Sequence, residues 1–277
     1  FKSHFFSLNG NNLHYLDEGD GPVVILVHGN PSWSFLYRNL IKTLKSGFRV
    51  IVPDHMGSGL SERPYHYPYT LSSHIENLNN LTSHLRLKSY SLVVHDWGGP
   101  IGMGHALQNL SALESLVILN TAAFFDEKLP KRIRLCRTPL VGEWFMRSPM
   151  GFAYLASKMA VNRPLSASAS KGYLYPYNNY KNRIGNARFV QDIPLNKNNS
   201  SYSQMLKIQN NLGKLTCPKL IAWGGGDFCF NRRFYDRFLK IYPDARHVYL
   251  PRAGHYLLED AGEDVIPMIE SFLRNSL

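Results

Sequence analysis

The run YSLVVHD at residues 90–96 leads straight into WGGPIG. Apolar side chains at successive positions leave a strand no polar face, so it must be covered on both sides. Strands of that kind form the interior of parallel sheets, which need helices above and below. Gly98 and Gly99 permit a tight turn, and helical spacing follows from Pro100 to Asn109. The stretch reads as buried strand, sharp turn and helix, with Asp96 at the turn.

The same rhythm recurs along the chain. PVVILVHG (22–29), FRVIVPDH (48–55), SLVILNT (115–121), KLIAWGGGD (219–227) and HVYLPRAGH (247–255) read as further strands. HFFSL and LHYLDEG, on either side of Asn9–Asn12, read as an antiparallel hairpin at the sheet edge. Helical spacing falls at Trp33–Lys45, Leu71–Leu87, Arg232–Ile241 and Asp264–Arg274. The expected class is α/β, a mostly parallel eight-stranded sheet with helices on both faces.

After Thr121 the rhythm breaks. From Phe124 to about Leu212 there are only short helix-like pieces, divided by Pro130, Pro139, Pro149, Pro164 and Pro176. This segment is expected to be a helical cap over the C-terminal ends of the strands, the edge where open α/β sheets bind ligands. The division is core at 1–123, cap at 124–212 and core again at 213–277.

Composition matters in three places. No apolar run approaches the ~18–20 residues of a membrane span. FKSHFFSLNG shows no charged stretch leading into an apolar one, so no signal peptide is expected in it; a leader ahead of it stays open, because the chain does not begin with methionine. Cys136, Cys217 and Cys229 are widely spaced, form no zinc or redox motif and suit a reducing compartment, so a cytoplasmic location is expected. The net charge of +11 is concentrated: residues 124–212 hold 14 Lys and Arg against 4 Asp and Glu. No nucleic-acid motif accompanies it, and no nucleic-acid partner is expected. The plain reading is a solvated surface; the sharper one is weak contact of the basic cap with a membrane surface or an acidic partner.

Three candidate catalytic residues fall at strand ends: Asp96, Asp227 and His255. Nucleophile, acid and histidine in that order is the chain order of α/β hydrolases. A lone Asp at a strand end is commonly a cap or turn former; three residues at these topological positions form a set. An aspartate in place of serine changes the chemistry. A carboxylate can displace a leaving group at an sp³ carbon and leave an alkyl ester.

VHGNPSWSFLYR (27–38), DHMGSGLSERP (54–64), VVHDWGG (93–99) and AGHY (253–256) together resemble haloalkane dehalogenases through nearly the whole chain, cap included. The resemblance implies an α/β-hydrolase fold, Asp96 as nucleophile, His255 as base and Asp227 as its acidic partner. It makes Asn30 and Trp97 the side-chain donors that hold a departing halide, with their backbone N–H groups serving the oxyanion of ester hydrolysis. It implies a small hydrophobic substrate and water, and no metal or cofactor. The strand VILNTAAF has no carboxylate at its end, which leaves the acid role to Asp227. Val94, two residues before the nucleophile, stands where serine enzymes carry a small residue; aspartate-nucleophile relatives share this feature.

Each assignment has a plainer counterpart. Asn30 could form a turn before Pro31, and Trp97 could be core packing. His28, His55, His95 and His105 read as packed structural residues, and Asp54 as a loop organiser. The expected activity is haloalkane hydrolysis to alcohol and halide. LNTAAF (119–124) and RFVQDIPL (188–195) are also similar to β-lactone decarboxylases, which implies the same residues with alkene and CO₂ as products. Epoxide hydrolysis would call on cap tyrosines among Tyr154, Tyr173, Tyr175, Tyr177 and Tyr180, and Asn30 weighs against it. A non-catalytic receptor for a hydrophobic ligand is the fourth reading. Substrate, chain length and oligomeric state stay open.

Overall fold

A computed structural model describes residues 1–126, 131–138 and 141–276. Eight strands form one sheet: β1 (Ser3–Leu8), β2 (Asn11–Glu18), β3 (Val23–Val27), β4 (Arg49–Pro53), β5 (Tyr90–Asp96), β6 (Leu113–Thr121), β7 (Lys219–Gly224) and β8 (Arg246–Leu250). Their order is β1-β2-β4-β3-β5-β6-β7-β8. Among the described residues only the β1–β2 and β2–β4 pairings are antiparallel, so the hairpin does sit at the edge. From β3 the chain crosses to β4 on one side and to β5 on the other. That reversal opens a crevice at the C-terminal ends of β3 and β5, where ligands bind in such sheets.

Period-2 alternation explains the two-sided burial. Val24, Leu26, Val93, Val117 and Leu119 pack with α1 (Arg38–Leu44) and α12 (Gly262–Arg274). Ile25, Val27, Leu92, Val94, Leu116 and Ile118 face α2 (Leu71–His84) and α3 (Gly98–Gln108) on the other side.

Several boundaries differ from the sequence expectation, each for a local reason. Trp33–Lys45 is not one helix: a 3₁₀ turn at Ser34–Tyr37 precedes α1. The helix expected to reach Leu87 stops at His84, because Arg86 adopts φ +53°. β8 ends at Leu250 rather than at His255, since Pro251 has no N–H to extend a ladder and the chain turns there.

Between β6 and β7, in the segment expected as a cap, lie α4 (Lys131–Cys136), α5 (Val141–Arg147), α6 (Phe152–Met159), α7 (Ala167–Leu174), α8 (Ile184–Gln191) and α9 (Tyr202–Asn211), the last packing Met205 and Ile208 into the main core. Pro130 and Pro139, expected to divide this segment, lie outside the described residues. The cap has its own small apolar centre of Ile133, Cys136, Met146, Ala187 and Val190. Polar bonds tie it to the core. Asp192 accepts from the Leu71 N–H at 2.9 Å and from the Ser201 hydroxyl at 2.6 Å, so one buried carboxylate serves the start of α2 and the approach to α9. The remaining helices are α10 (Arg232–Ile241) and α11 (Leu257–Asp260). Among the described residues no helix is long and apolar enough to cross a membrane.

Candidate active site

Asp96 ends β5 with φ +52°, a left-handed conformation rare for a residue with a side chain. The turn is possible because Gly29 and Gly98, which pack against it, lack side chains. A Cβ on Gly98 would run into the carbonyl oxygen of Val27, and one on Gly29 would overlap the Asp96 carboxylate. α3 can thus start close against β3, and the carboxylate stands at the mouth of the crevice. The bulky Val94 is accommodated from the helix side. A Cβ on Gly102 would lie 2.6 Å from Val94 Cγ1, so glycine in α3 makes the room that a small residue in the strand would otherwise make.

The two oxygens of Asp96 have different surroundings. Oδ1 accepts from the Asn30 backbone N–H at 2.6 Å, and the Trp97 backbone N–H also bonds the carboxylate. Oδ2 faces His255, whose Nε2 lies 3.7 Å away, too far for a hydrogen bond. Burial pushes the Asp96 pKa up; His255 and the two backbone donors offset this only in part.

His255 sits in the loop after β8 and bonds Asp227 Oδ2 through Nδ1 at 2.7 Å. Asp227 is buried and fully engaged. Oδ1 accepts from the N–H groups of Cys229 at 2.7 Å and Phe230 at 3.1 Å, and Oδ2 also accepts from Asn120 Nδ2 at 3.0 Å. Burial alone would raise its pKa, but His255 and these donors outweigh it and hold the carboxyl below its usual range. For His255 burial acts downward; the Asp227 and Asp96 carboxylates prevail and its pKa stands above the ordinary histidine value.

Asn120 is a site residue that the sequence reading passed over. Its amide spans β6 and β7, donating to Gly224 O at 3.0 Å and to Asp227 while accepting from Gly224 N at 2.8 Å. An amide at a strand end gives no sequence signal for this, because its partner lies 107 residues away. His95 is a second supporting group: its Nε2 bonds the His255 carbonyl at 2.8 Å, and its ring lies 4.5 Å from the His255 ring. Burial lowers its pKa to about 3, so it is a neutral donor.

His28, His55 and His105 are buried, as expected of packed residues. Asp54 organises its loop, accepting from Ser34 N at 2.7 Å and Leu60 N at 2.9 Å and bonding His14 Nδ1 at 2.8 Å. The Asn30 side chain gives one of its two amide hydrogens to the Asn186 carbonyl in α8, at 3.1 Å. The Trp97 ring packs 5.4 Å from Phe189.

All five candidate residues except Asp227 line one cavity of about 360 Å³ between sheet and cap. Its walls are otherwise almost wholly apolar, including Phe124, Phe152, Leu155, Met205 and Phe234. None of the five cap tyrosines lines it. Among the described residues no group of three or more His, Cys, Asp or Glu side chains is placed to hold a metal ion. Chemically, the arrangement offers one carboxylate oxygen to an sp³ carbon, two backbone N–H donors to the carboxylate, and an oriented imidazole beside that oxygen.

Comparison with known proteins bears on which family carries this arrangement. The chain is 45% identical to a cis-3-alkyl-4-alkyloxetan-2-one decarboxylase of Shewanella oneidensis, covering 99% of this chain and 88% of that protein. Identity to the protein of the same name in Xanthomonas campestris is 41%, over 96% and 93%. Haloalkane dehalogenase 2 of Mycobacterium tuberculosis is 31% identical, over 97% and 94%. In three dimensions, haloalkane dehalogenase DbeA from Bradyrhizobium elkani superposes with a TM-score of 0.90 over 99% of this chain and 98% of its own, at 23% identity, which is a likeness of fold. A family model described as the alpha/beta hydrolase fold matches residues 22–262. With most of its length inside that match, the chain belongs to the α/β hydrolase fold family.

Proposed function

We propose that this chain is a β-lactone decarboxylase acting on cis-3,4-dialkyl-oxetan-2-ones, with Asp96 as nucleophile. The observation that carries the proposal is the identity of 45% and 41% to the two decarboxylases, against 31% to the dehalogenase, each over nearly the whole chain. This reverses the order of the two readings drawn from the sequence. The apolar cavity ending at Asp96 suits a substrate whose only polar part is a four-membered ring.

The geometry supports the following chemistry. Asp96 Oδ2 attacks ring carbon C4, and the C4–O bond breaks toward the ring oxygen. The product is an alkyl ester of Asp96 that carries a carboxylate on C3. The Trp97 indole N–H and the remaining Asn30 amide hydrogen are the donors available to that carboxylate. The electron pair of the C3–carboxylate bond then becomes the C3=C4 double bond. CO₂ leaves, and the C4–O bond to Asp96 breaks to restore its carboxylate. No proton moves and no water is consumed. The N–H groups of Asn30 and Trp97 favour this second step, because charge returns to the carboxylate they hold. Inversion at C4 followed by antiperiplanar departure converts a cis-lactone into a cis-alkene. His255, held by Asp227, lies beside Asp96 Oδ2, the oxygen released when the C4–O bond breaks.

Haloalkane hydrolysis would use the same ester but needs water. His255 would then be a base, and water would attack the Asp96 carbonyl carbon. Turnover in heavy-oxygen water separates the two. With a cis-dialkyl lactone the proposal expects alkene and CO₂, with no label in Asp96 after many turnovers. Label in Asp96 and a β-hydroxy acid product would overturn it.

A further inference from the structure

The cavity opens through the cap. Leu135, Phe145, Met159, Leu195 and Phe228 line it and are at the same time large apolar side chains exposed to solvent. They form its lips. Close to them in the chain, Val141 (69% exposed), Trp144 (66%) and Met150 (70%) stand outside the cavity with nothing over them in the monomer. An exposed apolar set of this kind around a pocket mouth marks a binding surface.

Among the described residues, the charges left exposed beside the mouth are basic. Arg134 on α4 and Lys158 on α6 are exposed. Among the described residues, the carboxylates of this region are already engaged: Glu143 by Arg147 at 2.7 Å and Arg188 at 3.3 Å, and Asp126 by Arg233 at 3.5 Å. Tryptophan with aliphatic side chains, flanked by Lys and Arg, is the composition that settles at the headgroup level of a bilayer.

We propose that the cavity mouth docks reversibly on an anionic lipid surface, with α4, α5 and the start of α6 as the contact. The apolar lips belong to the cavity itself, so the occupant must leave a route for an apolar molecule to enter. A fluid bilayer does so, and its negative surface complements the cap. Docking rests on this surface alone; delivery of a dialkyl lactone from the bilayer rests in addition on the function proposed above.

The test is co-sedimentation of the full chain with phosphatidylcholine vesicles and with mixed phosphatidylcholine–phosphatidylglycerol vesicles. The parent is expected to partition onto the mixed vesicles and to be released by salt. V141S/W144S, which alters no cavity residue, is expected to lower partition by about tenfold or more, while turnover of a short, freely soluble lactone is unchanged. R134E/K158E is expected to lose the preference for the anionic vesicles. Equal partition of the parent and V141S/W144S overturns the proposal, as does a parent that does not distinguish the two vesicle types. A fall in molecular mass of the free protein on V141S/W144S substitution also overturns it, by showing that a second copy covers the surface. Vesicle binding without lactone turnover would count against the function alone, and turnover without vesicle binding against the docking alone.

Discussion

Asp227→Asn tests the site most sharply, because the four bonds to this carboxylate leave an amide no good orientation. The N–H groups of Cys229 and Phe230 are backbone donors and cannot turn, so the amide oxygen must stay on them. The new NH₂ then faces His255 Nδ1 and the Asn120 amide, and Asn120 is held in place by both polar groups of Gly224. Two charge-assisted bonds are lost, at about 1.5–3 kcal/mol each, and one neutral bond of about 1 kcal/mol is regained if His255 changes tautomer. The net cost is about 2–5 kcal/mol, a fall in Tm of at least about 4 °C for a domain of this size. Histidine nitrogen NMR would show the proton moved from Nδ1 to Nε2, where the ring no longer works as a base. An Asp-to-Asn change at this position of a triad costs about 10⁴ in a base-dependent reaction. Hydrolysis of an alkyl ester on Asp96 is expected to fall by that order, and alkene formation from the lactone much less. An unchanged Tm, or a proton still on Nδ1, would refute the account of Asp227. A drop of the full ~10⁴ in alkene formation would refute elimination without proton transfer.

Gly102→Ala is expected to cost about 1–3 kcal/mol by driving a methyl into Val94. Val94→Ala in the same chain should restore most of that, and a denaturation cycle showing additive effects would contradict the packing described. Burial raises the Asp192 pKa to about 6, above its unfolded value, so its protonation favours the folded state: the contribution is complete below pH 3.8 and is lost as pH rises through about 6. The parent should gain up to about 3 kcal/mol from this group on acidification, and Asp192→Asn should lack that slope when unfolding is followed against pH. Asn120→Ala strands the Gly224 N–H and takes one donor from Gly224 O, and is expected to destabilise by about 1–3 kcal/mol in urea titrations.

The core was legible because burial writes itself into sequence. YSLVVHD became β5 without a change of boundary, buried on both faces as its unbroken apolar run requires. Asp96 stands at its strand end as read, whereas Asp227 and His255 lie in the loops beyond β7 and β8. The supporting shell was not legible. Asn120, His95 and the Cys229 and Phe230 N–H groups act through contacts that strand register creates, and no local pattern encodes register. The cap resisted for another reason. Its helices run from six to ten residues, too short for periodicity to speak, and the cavity they enclose depends on how they pack.

The cap leaves the sheet after β6 and returns into β7, and those strands are direct neighbours, pinned together by the Asn120 amide. Chain leaving and re-entering at one fixed gap behaves as a closed loop, and doubling the length of such a loop costs only about 0.6 kcal/mol in closure entropy. Residues can therefore be added to the loops of the insertion at small closure cost, while the pairing of β6 with β7 is kept. The reacting groups and the walls that choose their substrate are in this sense separately heritable, so a change of guest can precede any change of chemistry.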